Sequence, residues 1–263
     1  MSQLKITFPS AIFFKKMFEA IKDLVSEINI EFDSAGKMSV QGIDSSHVSL
    51  VSLILTKESF IHYECPVSQI YGVSIPTLLA ILKMADKNSQ LTLDASNKDI
   101  MNVIMHSSER KVEFQMNLIE IDHEVLQIPD IPAISQIDMD SSEFYGICHD
   151  FIPFSDTLKI RTRKTNTNNV TKMEGIFECA GDKGKGKILI ENAGKSTINS
   201  TVDDFSADFS LKHLSIFTKA QNLSPKVTLR LNENAPIDIR YIFENSIGCL
   251  TFYLAPKIPD NSA

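Results

Sequence analysis

Gly181-Asp-Lys-Gly-Lys-Gly186-Lys187 has the G-x-x-x-x-G-K spacing of a loop whose backbone amides cradle phosphates. Such a loop needs Ser or Thr next, to hold magnesium, and a helix N-terminus facing the phosphate. Here Ile188 follows, and Lys187-Ile-Leu-Ile-Glu191 reads as a strand. A Gly-rich hairpin turn is the favoured reading, and a nucleotide-dependent enzyme the lesser one. Asp44-Ser-Ser-His47 holds the residue types of a hydrolase triad. Neighbours on extended backbone point to opposite faces, however, and no G-x-S-x-G elbow occurs. It reads as a turn with a polar cap leading into a strand. His62-Tyr-Glu-Cys65 offers two metal ligands, but no second pair stands at zinc spacing. Acid pairs such as Asp203-Asp204 specify nothing. The sequence predicts no catalytic site, no metal and no cofactor.

The basic residues are more informative. Lys15, Lys16 and Lys22 fall in one helical pattern, and Lys83 and Lys87 on or just after a second. His149 falls in a third, and Lys212, His213 and Lys219 in a fourth. Each helix carries these groups away from its apolar stripe. The acids gather elsewhere: Glu120, Asp122, Glu124, Asp138, Asp140, Asp203 and Asp204. A solvated helix lysine is ordinary. The same arrangement on four helices predicts one basic surface that meets a polyanion through its phosphates, without reading sequence. The overall charge of −7 argues against such a partner, but a field depends on distribution rather than on the total.

Several elements must position these groups. Leu4, Ile6 and Phe8 alternate as a strand. Pro9 and Ser10 then open a helix whose stripe runs Phe14, Met17, Phe18, Ile21, Leu24, Val25 and Ile28. Residues 28–32 and 38–41 form a hairpin around Asp33-Ser-Ala-Gly36. Strands are expected over 47–55, 59–66, 70–75, 91–94, 101–106 and 111–117, with a helix over 76–87. The order recurs beyond residue 135: a strand at 136–139, a helix at 143–152, and a second helix pattern within 209–219. Phe14, Met17 and Ile21 echo Phe144, Ile147 and Phe151 at an offset of 130. Ser74, Leu78 and Lys83 echo Ser210, Leu214 and Lys219 at 136. The six-residue difference places an inserted loop at Thr165–Lys172. A period this long is no solenoid; it predicts two copies of one α+β domain, each burying antiparallel sheet on two helices.

Between the copies lies Leu118-Ile-Glu-Ile-Asp-His-Glu-Val-Leu-Gln-Ile-Pro-Asp-Ile-Pro132, which fits neither a helix nor a full strand and is broken by Pro129 and Pro132. It reads as an extended connector lying on protein. The expected layout is an N-terminal domain at 1–117, a connector at 118–134, a C-terminal domain at 135–258 and a flexible tail at 259–263. No apolar run approaches the roughly 20 residues of a membrane span. No signal peptide is expected, so the sequons at Asn169, Asn199 and Asn222 stay unused. Cys65, Cys148, Cys179 and Cys249 read as buried free thiols of a reducing compartment.

Gln41-Gly-Ile-Asp-Ser-Ser-His-Val-Ser-Leu-Val51 and Phe252-Tyr-Leu-Ala-Pro-Lys-Ile258, together with 14–25, 118–129 and Phe217-Thr-Lys-Ala220, carry a resemblance across essentially the whole chain. The chain resembles the proliferating cell nuclear antigen family of DNA sliding clamps. The resemblance implies a closed ring of three subunits, with helices lining a hole for duplex DNA and sheets outside. It implies tethering of DNA polymerase, a clamp loader and other replication or repair proteins, in the nucleus or a viral replication compartment. Lys15, Lys16, Lys22, Lys83, His149, Lys212 and Lys219 would face DNA. A pocket for short partner peptides would use Ile43, His47, Val48, Leu50, Leu126, Ile128, Pro236, Tyr253, Ala255 and Pro256. Lys164 matches a lysine that eukaryotic members modify with ubiquitin. The strand near 111–117 would pair with that near 187–191 of the next subunit. The sequence departs from the family at His149, where Arg is usual, and at Ala80, where Lys is frequent. A monomeric processivity factor of the same fold is the alternative.

Overall fold

The computed structural model describes residues 4–122, 128, 131–167, 170–192, 194–233 and 235–258. The chain divides into two compact units, residues 1–127 with 242–250, and residues 128–241 with 251–263.

The first unit contains β1 (Leu4–Phe8), α1 (Ala11–Ile21), β2 (Glu27–Phe32), β3 (Met38–Ile43), β4 (Ser49–Leu55), β5 (His62–Glu64), β6 (Gln69–Ser74), α2 (Ile75–Leu82), β7 (Gln90–Ala95), β8 (Ile100–His106) and β9 (Lys111–Asn117). Its strands lie in the orders β5-β1-β7-β8-β9 and β4-β3-β2-β6. The Ser10 hydroxyl opens α1 by accepting from Phe13 N–H at 3.1 Å, which satisfies one orphan donor of the first turn. Phe14, Met17, Phe18 and Ile21 are fully buried, and each such side chain contributes about 1.5–3 kcal/mol. The rings of Phe8 and Phe14 (4.5 Å between centroids) and of Phe14 and Phe18 (4.9 Å) make the centre of this core.

The rest of the chain contains β10 (Ser135–Asp140), α3 (Ser141–Phe151), β11 (Thr157–Thr167), β12 (Val170–Gly181), β13 (Gly184–Glu191), β14 (Thr197–Ser200), β15 (Asp204–Ser210), α4 (Leu211–Phe217), β16 (Lys226–Leu231), β17 (Ile237–Ile242) and β18 (Gly248–Leu254), all in the second unit except residues 242 and 248–250, which fall with the first. Its orders are β14-β10-β16-β17-β18 and β13-β12-β11-β15. Adding nine to every strand number of the first unit reproduces the second, and a helix follows the first and sixth strand in each. The internal repeat read from weak sequence echoes is therefore a repeat of topology. Phe217 stacks on Phe252 in this core at 4.5 Å.

Four local expectations need correction. The first helix ends at Ile21, with Lys22 as its cap; Ile28 belongs to β2, where Ile28, Ile30 and Phe32 alternate inward. Leu24, Val25 and Ile28 continue the helical spacing only by coincidence. The second helix ends at Leu82 rather than Lys87. The strand expected over 59–66 is reduced to β5, because a 3-10 turn occupies Lys57–Ser59. Thr165–Lys172 is not a loop: Thr165 pairs with Lys172 and Thr167 with Val170, so the insertion lengthens the β11–β12 hairpin. Within it, 168 and 169 lie outside the described residues.

Candidate functional sites

On α1, the face opposite the buried stripe exposes Lys16. Lys15 is half-buried and pairs with Glu19 at 3.5 Å. Lys22 and Lys83 stand exposed at the C-caps of α1 and α2. Cations there also favour the helix dipole by about 0.3–1 kcal/mol, so neither alone identifies a ligand. In the second unit, Lys212 is exposed on α4 and Lys219 on the 3-10 turn Thr218–Asn222 that continues it. His213 Nδ1 meets the Ser210 hydroxyl at 2.9 Å. His149 differs from the lysines: its ring lies on Tyr145 at 4.0 Å, and its buried Nε2 has no hydrogen-bond partner among the described residues. Helix by helix, the second unit thus carries fewer lysines than the first.

The loop between β3 and β4 is built on one carboxylate. Asp44 Oδ1 accepts from Val48 N–H (3.1 Å), Ser49 N–H (2.6 Å) and the Ser49 hydroxyl (2.9 Å). Its Oδ2 accepts from Ser46 N–H at 3.0 Å and, more closely, from the Ser46 hydroxyl. Burial opposes the charge, but these donors outweigh it and hold the carboxyl well below the usual carboxylate range. The loop carries His47 at φ 56°, a left-handed conformation that side chains other than glycine rarely adopt. His47 and Val48 are exposed, and Ile43 and Leu50 half-buried beside them.

The connector begins in the first unit by crossing the open edge of β6. Ile119 N–H donates to Gly72 C=O at 2.9 Å. A Cβ on residue 72 would stand 2.1 Å from the Ile119 oxygen, so only glycine fits. Asn29 Nδ2 then donates to Ile121 C=O at 3.3 Å. The second unit repeats the device at its own edge strand: Lys257 N–H donates to Asp208 C=O at 2.7 Å. Asp208 opposes Lys159 as Gly72 opposes Asn29. In this unit Ile128, Tyr253 and Pro256 are half-buried and Pro236 and Ala255 exposed. Leu126, Pro129 and the tail at 259–263 lie outside the described residues.

The other chemical motifs resolve into packing. Gly181 and Gly184 close the β12–β13 hairpin, and a strand follows where a phosphate loop needs a helix. A Cβ at 181 would sit 2.1 Å from Phe154 O, and one at 186 would sit 2.8 Å from the Phe151 ring. The glycine spacing therefore serves close approach to the end of α3, and Lys187 pairs with Glu178 at 3.6 Å. Ser46 is a donor to Asp44 rather than to His47, so no relay forms. His62 meets Glu64 at 3.5 Å. The Cys65 thiol donates to Val67 C=O at 3.2 Å, and burial pushes its pKa up. No cluster of ligands suited to a metal occurs among the described residues.

Residues 3–125 match the family description "Proliferating cell nuclear antigen, N-terminal domain", and residues 127–257 match its C-terminal domain. The chain belongs to the proliferating cell nuclear antigen family. It is 34% identical to the proliferating cell nuclear antigen of Chaetomium thermophilum over 98% of this chain and 99% of that one. It is likewise 34% identical to that of Dictyostelium discoideum, over 93% and 95%. The crystal structure of the Entamoeba histolytica protein has a TM-score of 0.87 to it at 30% identity, covering 98% of this chain and all of that one. The protein is a DNA sliding clamp, a processivity factor of replication. Sequence reasoning missed Asp44 as the anchor of its loop and Gly72 and Asn29 as the seat of the connector. The Asp-Ser-Ser turn and the isolated glycine inside a strand were the available signals.

Proposed function

We propose that this clamp closes as a ring of three identical subunits, has no catalysis of its own, and touches duplex phosphates through Lys15, Lys16, Lys22, Lys83, His149, Lys212 and Lys219. The observation that carries this reading is the repeat. Two copies of one topology each bury the apolar stripe of two helices, and exposed lysines stand on α1 and α4, at the caps of α1 and α2 and on the turn after α4. The layout is domains 1–117 and 135–258, joined by the connector 118–134 and ending in a short tail at 259–263. Ring closure joins β9 of one subunit to β13 of the next. Both are edge strands with open backbone, and they carry the exposed apolar residues Phe114 and Leu189. Polymerase, loader and repair partners dock short peptides against Ile43, His47, Val48 and Leu50 of the first unit. They also use Leu126, Ile128, Pro236, Tyr253, Ala255 and Pro256. The clamp works in the nucleus, or in a viral replication compartment. Lys164 is a modification candidate whose amine lies 3.4 Å from Asp203.

The test is charge reversal at exposed positions. Lys22→Glu with Lys83→Glu and Lys212→Glu should leave the oligomer intact by sedimentation while lowering loading and polymerase stimulation. Unchanged stimulation at physiological salt would refute the assignment. A protein that stays monomeric at high micromolar concentration would refute the ring in favour of a monomeric processivity factor.

A further inference from the structure

The connector enters the second unit at Ile134, whose N–H donates to Leu231 C=O and to Asn232 Oδ1, both at 3.1 Å. Thr201 N–H donates back to Ile134 C=O at 2.8 Å. Main-chain bonds thus fix the chain at this point. Slightly earlier they are harder to make, because Pro132 has no N–H and the peptide group it shares with Ile131 offers only a carbonyl. That carbonyl accepts from Arg230 Nη2 at 2.9 Å. The Ile131 side chain is 46% exposed, so its burial does little to hold the segment.

Arg230 is itself held in place. Its side chain and that of Asp238 are each only 13% exposed. Asp238 Oδ2 accepts from Arg230 Nη1 at 3.0 Å and from Arg240 Nε (3.2 Å) and Nη2 (2.7 Å). The carboxylate orients the guanidinium through one arm and leaves the other aimed at Ile131. A planar fork can bridge two acceptors in this way, whereas an ammonium on a flexible stem is a point charge without that geometry. The internal repeat supplies a control. Arg230 opposes Asp238 as Asp94 opposes Asn102 in the first unit, and Ser135 opposes Leu231 as Leu4 opposes Ala95. The first unit therefore has an acid at the place of Arg230, so the topology requires no arginine there. The arginine stands in the unit whose first strand, β10, the connector feeds.

We infer that Arg230 is a positioning residue for partner docking: it pins the connector at Ile131 and so fixes Ile128, three residues upstream, as a wall for the peptide. The inference rests on the peptide-capture reading above. Arg230 acts through the connector backbone and need not touch the peptide. Asp238 supports it from β17, two residues after Pro236 and on the face opposite the buried Ile237 and Ile239.

A fluorescent peptide with one glutamine and two aromatic anchors, titrated with the full-length clamp and read by anisotropy, tests this. Arg230→Lys keeps a charge beside Asp238 but lacks the second arm. It should weaken the peptide roughly three- to tenfold, the scale of one hydrogen bond. Arg230→Met should weaken it at least as much. If Arg230→Met also lowers the urea midpoint, Arg230→Lys, which retains the ion pair, carries the test. The decisive reading is a double-substitution cycle with Ile128→Ala. If Arg230 works by placing Ile128, then Arg230→Lys should cost little further affinity once Ile128 is already alanine. Two losses that simply multiply would mark a general structural effect and overturn the positioning role. Full peptide affinity in both Arg230 variants would overturn it as well, leaving peptide capture intact. No binding by the unaltered clamp overturns peptide capture itself, and the positioning role with it.

Discussion

Asp44→Asn is a severe change for its size. The amide keeps one oxygen for Val48, Ser49 and the Ser49 hydroxyl, but places an NH₂ where Oδ2 accepts from Ser46 N–H and O–H. Hydrogen bonds to a charged acceptor contribute about 1.5–3 kcal/mol each, and the Ser46 N–H is left facing a donor. Ser46 O–H can rotate to accept, so one bond is lost outright and three are weakened, about 3 kcal/mol in all. Opposing this is the left-handed backbone at His47, whose strain is on the order of 1–2 kcal/mol. Losing the anchor lets that strain open the loop. Amide hydrogen exchange reads the effect directly: about 3 kcal/mol corresponds to roughly a hundredfold faster exchange at Val48 and Ser49. Peptide affinity should fall with it, because His47 and Val48 lose their fixed places. Unchanged exchange at both amides would refute the anchor. The pH dependence has a definite sign. A carboxyl whose folded pKa is depressed stabilises at all pH above its unfolded value, near 3.9, and that contribution is lost as pH falls towards the folded value. Exchange at the loop should therefore be insensitive to Asp44 titration between pH 5 and 8.

Gly72→Ala places a methyl 2.1 Å from Ile119 O, so the connector must lift and lose its hydrogen bond to β6. The cost should be about 1–3 kcal/mol, read as a lower urea midpoint with an unchanged slope. Gly181→Ala should destabilise the second unit similarly through Phe154, without altering any nucleotide affinity; a nucleotide bound by the unaltered protein and lost in Lys187→Ala would revive the enzyme reading. Leu189→Asp should shift sedimentation towards smaller species, because it charges the exposed apolar residue of β13. If each exposed helix lysine touches a phosphate, replacing Lys22 and Lys212 by alanine should lower the slope of log affinity against log salt by roughly 0.9 for each phosphate no longer neutralised.

How much of this was legible depended on the length scale of the signal. The strand periods of β1, β7 and β9 are legible because each alternates apolar and polar residues. The boundary of α1 did not, since Leu24, Val25 and Ile28 keep helical spacing while the chain has already turned into β2. The inserted stretch at 165–172 looked like a loop because all but one of its residues are polar. Only the register, Thr165 with Lys172 and Thr167 with Val170, reveals the pairing. The glycines at 181 and 186 read as a hairpin turn, which β12 and β13 form, but their reason, the end of α3, lies far away in sequence. Asp44 was visible as a turn residue; that one carboxylate gathers five donors could be seen only in three dimensions.

The proposed ring would hold DNA by encircling it, with basic helices turned to the duplex. The most direct measurement is retention on closed circular DNA after loading by an ATP-driven clamp loader, before and after the circle is cut once. A closed ring should survive a high-salt wash on the intact circle and be released on linearisation. Loss from the intact circle at high salt, or retention that ignores the cut, would contradict it.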